Sequence, residues 1–351
     1  MAKTFKEKSL ELFAKGAASR LPQFGQFELT SRCNLACKMC YVVNPAYAPE
    51  IERQELSAKE WLYLAEQARD SGMLLLNLTG GEPMLRNDFW ALYEGLCSLG
   101  LVITLNTNGT TLTPDTIRRL KQRPPFKLLI SLYGASPETY AKVTGNPAWY
   151  DTVMEGIVRL RKETHIPFAL RTTLIKDNYQ DYPAMKAWAN EQSIPLSFTA
   201  YVTPRRTGEG TDPATVRMTP EQAASILHTY GRDYSDGPES MAQVSPQAMA
   251  EDIHSAFHCA AGKYAFFVSW NGLMTPCGLM SEPSVEPLIT GFAPAWEALG
   301  QLRRKVPRCG SCVACPVQES CPQCPAKRYL ETGSFTATSP YLCELAALLA
   351  P

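Results

Sequence analysis

Six short apolar runs alternate with helix-forming stretches between residues 26 and 202, and no other feature of the 351-residue chain restricts its fold so far. The runs fall at 26–30, 74–79, 101–106, 126–131, 168–175 and 196–202, and they are rich in Leu, Ile, Val and Thr. Between them lie helical patterns at 57–71, 88–99, 114–122, within 136–163, and at 182–192. The first of these carries its own start signal, Ser57 with Glu60 three residues on, the pattern of a capping box. Strands this short, joined by helical crossovers, predict a parallel sheet wound right-handedly. The expected fold is α/β, a partial (β/α)6 parallel barrel over residues 21–205, with an amphipathic helix at 4–19 inside an N-terminal segment 1–20. In such barrels the chemistry collects at the C-terminal ends of the strands. That rule brings to one mouth the loop with Cys33, Cys37 and Cys40, the segment Gly80-Gly81-Glu82, Thr107 with Asn108 and Gly109, and Ser131.

Composition removes several function classes. Lys+Arg and Asp+Glu both number 34, so net charge gives no reason to expect nucleic acid or an anionic membrane as partner. No run of eighteen apolar residues appears, and the N-terminus lacks the apolar core of a signal peptide, so a cytoplasmic protein is expected. Twelve cysteines without secretory features point to metal in preference to disulfides. They form two fields, with Cys97 alone in an apolar helical pattern as a small buried hydrophobe.

The first field is spaced C-x3-C-x2-C. Cubane iron-sulfur clusters are usually held by four thiolates, so three leave one iron for an exchangeable ligand; a zinc knuckle is the alternative. The second field begins at Cys259. Two apolar runs at 264–270 and 273–276 follow, joined through Asn271-Gly272, a strong hairpin signal. Cys277 closes that hairpin, and Cys309, Cys312, Cys315, Cys321, Cys324 and Cys343 come after it. Eight thiols at this density imply metal, iron-sulfur or zinc. Residues 206–258 break the βα rhythm as a bridge, with a polar loop at 204–213 and helical stretches at 219–230 and 245–255.

The order of these motifs resembles the radical S-adenosylmethionine (SAM) superfamily, and the second field, 259–351, resembles its SPASM extension. The resemblance covers nearly the whole chain. It implies SAM and three [4Fe-4S] clusters: the first on Cys33, Cys37 and Cys40, a nearer auxiliary cluster on Cys259, Cys277 and Cys324, and an outer one on Cys312, Cys315, Cys321 and Cys343. Cys309 is an extra thiol that either completes the nearer cluster or leaves it with an open iron. The SPASM pattern usually ends C-x3-C, where this chain has C-x2-C. The same resemblance implies that Gly80, Gly81 and Glu82 meet the amino end of SAM and that Tyr41 lies by its adenine. It gives Thr107, Ser131 and Arg171 to the ribose and carboxylate, although a turn, a helix cap and a surface ion pair are their ordinary alternatives.

The implied chemistry is reduction of SAM, a 5′-deoxyadenosyl radical and hydrogen abstraction from an unactivated C–H, with an external donor of flavodoxin or ferredoxin type. A peptide-modifying enzyme is the first expectation. A dehydrogenase or epimerase of a small molecule such as an aminosugar is the second, and a non-catalytic zinc-ribbon module the third. Sulfatase maturation is placed in doubt because Gly278 follows Cys277 where those relatives commonly carry an Asp base. The short segment ahead of residue 26 leaves no room for a leader-recognition module, so if the substrate is a ribosomal precursor its leader is expected to be read by a separate leader-binding protein or not at all.

Overall fold

A computed structural model describes residues 5–42, 44–206, 212–231, 256–257 and 259–350. Six strands run in sequence order and parallel: β1 (Phe24–Glu28), β2 (Leu75–Thr79), β3 (Val102–Thr107), β4 (Lys127–Ser131), β5 (Phe168–Thr173) and β6 (Leu196–Thr199). The helices between them are α2 (Ala58–Asp70), α3 (Phe89–Ser98), α4 (Pro114–Gln122), α5 (Pro137–Thr144), α6 (Ala148–Glu163) and α7 (Tyr182–Glu191), after an N-terminal α1 (Phe5–Ser19). The expected capping box is present: Ser57 Oγ accepts from Glu60 N–H while the Glu60 carboxylate accepts from Ser57 N–H. Among the described residues no helix is long and apolar enough to cross a membrane.

One face of each strand packs on the helices. Phe27, Leu78, Ile103, Leu105, Leu128, Ile130 and Leu170 join Trp61, Leu64, Leu92, Ile117 and Leu160 in one buried core. Each such side chain contributes about 1.5–3 kcal/mol when fully buried. Side chains alternate across a strand, so the intervening residues line the inner face, and these are largely polar. Pairing sets Gln26 beside Asn77, Asn77 beside Thr104 and Thr104 beside Lys127. Nearer the mouth it sets Ser131 beside Arg171 and Arg171 beside Ser197. A sheet buried on both faces would read as continuous apolar runs; the polar inner rows mark the interior as a site.

The hairpin signalled by Asn271-Gly272 forms, as β7 (Ala265–Val268) and β8 (Met274–Thr275), antiparallel, with Gly272 at φ +91° in the turn. It does not stand apart with the cysteines that follow. β7 pairs parallel with β1, so the sheet reads β8-β7-β1-β2-β3-β4-β5-β6 and both cysteine fields border one sheet. The apolar run 264–270 made this pairing available, because Phe266 enters the same core as Phe27 and Trp61. At the opposite end α1 sets Phe13 and Ala17 against Leu75 and Tyr264 and covers the foot of the strands. Cys97 lies half-buried against the core on α3.

Past β6, helix α8 (Pro220–Tyr230) carries a second capping box, at Thr219 and Gln222; the helical pattern at 245–255 lies outside the described residues. The C-terminal region holds α9 (Phe292–Lys305), α10 (Pro325–Thr332) and α11 (Pro340–Leu348). Arg303, in the last turn of α9, is buried and donates to Ala261 O at 2.7 Å and Phe257 O at 2.9 Å, which fixes the approach to Cys259.

Candidate active site

The first cysteine loop leaves β1 through a buried ion cluster. Glu55 takes Arg32 Nε at 2.9 Å and Arg86 at 3.4 Å, and Arg86 also donates to Leu29 O and Leu56 O at 2.8 and 2.9 Å. The loop then lies against the end of α5, where Ala36 N–H and Lys38 N–H donate to Thr144 O and Val143 O, both at 3.1 Å. Leu35 and Met39 pack with Val143, Ile175, Val202 and Val216, so Cys33 and Cys37 are buried while Cys40 is half-buried. Cys33 Sγ accepts from Leu35 N–H and from Asn108 Nδ2, each at 3.4 Å. Burial pushes the Cys33 thiol up to about 11 and that of Cys37 up as well, with further upward pressure from their neighbouring thiols. As free groups these are neutral thiols, poor nucleophiles at neutral pH; bound iron is what such a set of soft donors fits.

The Gly80-Gly81-Glu82 segment does something the sequence did not convey. A Cβ on Gly80 would lie 2.5 Å from Thr30 O, and one on Gly81 would lie 2.3 Å from Arg32 O. The glycines therefore allow close approach of the segment's own backbone to the strand-to-loop junction, where Gly81 N–H donates to Thr30 O at 2.8 Å and Glu82 N–H to Arg32 O at 2.9 Å. Glu82 is fully buried. Its carboxylate accepts from Thr107 Oγ1 at 3.0 Å, Asn108 N–H at 2.7 Å and Met84 N–H at 3.2 Å. Desolvation pushes this carboxyl up to about 7, against the pull of those donors. Thr107 spends its hydroxyl on Glu82 and accepts from Gly109 N–H at 3.1 Å, so it too is committed to the protein. Glu82 thereby ties the end of β3 to the cysteine loop, because Asn108 reaches both Cys33 and Asn34.

Ser131 and Arg171 are register partners, both half-buried, on the inner face. Tyr133 packs beside the cysteine loop and neighbours Ser131 and Cys37. Tyr41, half-buried, lies 5.5 Å from the Arg206 guanidinium carbon. Arg206 pairs with the buried Glu28 at the end of β1 and stands 5.2 Å over the Phe267 ring. Against this group opens a cavity of about 370 Å³, bordered by Tyr41, Asn44, Arg205, Trp270 and Thr275.

In the second field Cys259, Cys277 and Cys324 pack on one apolar cluster with Phe257, Met280 and Val306. Cys309 heads the short helix Gly310–Val313, with Cys312 and Cys315 in successive turns, while Cys343 is exposed on α11. Among the described residues no three His, Cys, Asp or Glu side chains converge on one ion-sized point, so the case for metal rests on the chemistry and grouping of the thiols. A Cβ on Gly278 would lie 2.8 Å from the Phe267 ring. The position expected to lack a base is thus filled by Phe267, with Arg206 on that ring.

Sequence reasoning passed over Glu28, Glu55, Arg86, Tyr133 and Arg206 as site residues, and placed Asn108 at the mouth only as part of an Asn-Gly turn signal.

Residues 27–189 match the sequence model of the Radical SAM superfamily, so the chain carries a radical SAM domain, with a cysteine-rich C-terminal region beyond it. The AdoMet-dependent heme synthase of Methanosarcina barkeri is 27% identical over 93% of this chain and 97% of its own. The PqqA peptide cyclase of Rhizobium meliloti is 34% identical over 45% of this chain and 41% of its own. Among solved structures, Streptococcus suis SuiB bound to the precursor peptide SuiA superimposes with a TM-score of 0.68 at 17% identity, covering 96% of this chain and 80% of that one. The chain is therefore a radical SAM enzyme in fold and in the domain that carries its first three thiols.

Proposed function

We propose that this enzyme carries three [4Fe-4S] clusters and SAM and oxidatively modifies a C–H position of a peptide. Cys33, Cys37 and Cys40 would hold the first cluster and leave one iron for SAM. Cys259, Cys277 and Cys324 would hold the nearer auxiliary cluster, and Cys312, Cys315, Cys321 and Cys343 the outer one. When bound, the first cluster and SAM supply a one-electron cleavage that yields a strongly oxidising carbon radical. The chain's own residues do the positioning. Glu82 and Asn108 hold the β3 end against the cysteine loop, backbone groups of 80–82 meet the amino end of SAM, and Ser131 and Arg171 line its ribose and carboxylate. Tyr41, bordering the cavity, adjoins the adenine. Residues 206–258 would bridge to a C-terminal auxiliary domain, and an external flavodoxin or ferredoxin would supply electrons.

The observation that carries this reading is the cavity between Tyr41, next to Cys40, and the hairpin that ends in Cys277. A substrate there would lie between the two cysteine fields. A peptide is the first reading because the PqqA cyclase and SuiB are peptide-acting or peptide-bound by name. Filling of the Gly278 position by Phe267 argues against sulfatase maturation. A second reading has its own support. The heme synthases match along almost the whole chain, and Arg205 and Arg206 border the cavity, so a carboxylate-bearing tetrapyrrole is the competing substrate. Deuterium transfer into 5′-deoxyadenosine separates the two. Transfer from a precursor peptide encoded beside the gene is expected; transfer from an iron-porphyrin carboxylate, with none from any peptide, would replace the first reading with the second.

A further inference from the structure

Arg205 and Arg206 are neighbours in sequence and border the same 370 Å³ cavity, but they are not equivalent. Arg206 is fully engaged. Its guanidinium pairs with the buried Glu28 carboxylate and stands 5.5 Å from the Tyr41 ring and 5.2 Å from the Phe267 ring, and its backbone N–H donates to Tyr41 O at 3.4 Å. These contacts fix the chain after it leaves β6, and Glu28 neutralises the Arg206 charge. Arg205, one residue earlier, is held by the same anchor. Its Nε is buried without a hydrogen-bond partner, and among the described residues no carboxylate pairs with it. Three other polar side chains of the wall are already committed: Asn44 Nδ2 donates to Ser31 Oγ at 2.9 Å, Ser269 Oγ to Asn271 Oδ1 at 2.6 Å and Thr275 Oγ1 to Cys277 O at 3.0 Å. Among the described residues that border the cavity there is no Asp or Glu, so the wall carries one uncompensated positive charge.

A charge taken out of water is unfavourable unless it is paired, and a planar guanidinium matches a carboxylate with two parallel N–H···O bonds. We propose that Arg205 forms a carboxylate-binding subsite of the cavity and selects substrates by an acidic group, with Arg206 and Glu28 as the residues that position it. A carboxylate brings the single negative charge that one free cation balances. A phosphate monoester, at about −1.5 to −2, would leave the excess unpaired. The acidic group is carried by a peptide or by a tetrapyrrole; the subsite recognises the chemistry they share. The inference rests on the reading above that substrate lies in this cavity, and it does not depend on the clusters.

The test is calorimetric titration of the anaerobically reconstituted chain, with SAM in excess, against two probe families. One is a capped alanine pentapeptide with a central Glu, its Gln counterpart and its phosphoserine counterpart; the other is a porphyrin tetracarboxylate and its tetra-amide. In at least one family the carboxylate form is expected to bind about ten- to a hundredfold tighter than the amide form. Arg205→Gln abolishes that preference, and Arg205→Lys, which keeps the charge without the planar fork, retains part of it. A preference confined to the porphyrin keeps the subsite and replaces the peptide reading with the tetrapyrrole one. Equal affinity for acid and amide in both families, a preference that survives Arg205→Gln, or tighter binding of the phosphoserine peptide than of the Glu peptide overturns the inference and leaves the cluster reading standing. Iron far below about twelve per chain, the content of three cubanes, with the Arg205-dependent preference intact, overturns the cluster reading alone.

Discussion

Gly81→Ala separates two roles for the Gly-Gly pair. If the glycines serve only ligand approach, the variant binds SAM poorly and is otherwise as stable as the wild type. The geometry predicts more. The added Cβ would lie 2.3 Å from Arg32 O, 2.6 Å from Arg32 C and 2.9 Å from Ser31 O, all backbone atoms with no side-chain freedom to yield. Overpacking of this kind costs about 1–3 kcal/mol. Separating the two segments also strains the Gly81 N–H to Thr30 O and Glu82 N–H to Arg32 O bonds, each worth about 1 kcal/mol. The expected loss is about 3–5 kcal/mol, a large share of the ~5–15 kcal/mol of a folded domain. Urea midpoints without SAM, converted with a common slope, read it directly. Gly310→Ala is the control, since nothing lies within 4 Å of its added Cβ. A Gly81→Ala midpoint equal to wild type would refute the backbone-packing account.

Two further outcomes follow from buried charge. Burial raises the Glu82 carboxyl from its ordinary 4.5 to about 7, so the folded chain holds that proton better than the unfolded one. Its contribution is full below about pH 4.5 and is lost as pH rises through 7, about 3 kcal/mol across the window. Glu82→Gln should therefore show a flatter stability-versus-pH curve than wild type between pH 4.5 and 7, and parallel curves would contradict the assignment. Glu331 accepts from Tyr201 and Arg217, both at 2.7 Å, and joins the end of β6 to α10. Glu331→Ala strands the half-buried Arg217 and should cost about 3 kcal/mol, read as a lower urea midpoint, whereas an unchanged midpoint would show the pair to be inconsequential.

The barrel strands and their helices were legible because alternation and capping are local: Ser57 and Glu60 announce α2 without help from the rest of the chain. The thiols of both fields were legible as donors from type and spacing. Pairwise geometry across strands was not. Nothing near Phe266 in the sequence says that β7 will lie beside β1, since parallel partners 241 residues apart carry no turn signal. Glu82 looked like a ligand acceptor because sequence shows its carboxylate but not the Thr107 and Asn108 donors that occupy it. Arg206 sat in a polar loop, and only the fold reveals Glu28 and Tyr41 as its partners.

The central claim is that Cys33, Cys37 and Cys40 form the centre that cleaves SAM. Anaerobically reconstituted protein, given dithionite and SAM, should release 5′-deoxyadenosine; Cys37→Ala should release none, while Cys312→Ala retains some. Production of 5′-deoxyadenosine by Cys37→Ala at the wild-type rate would contradict the account.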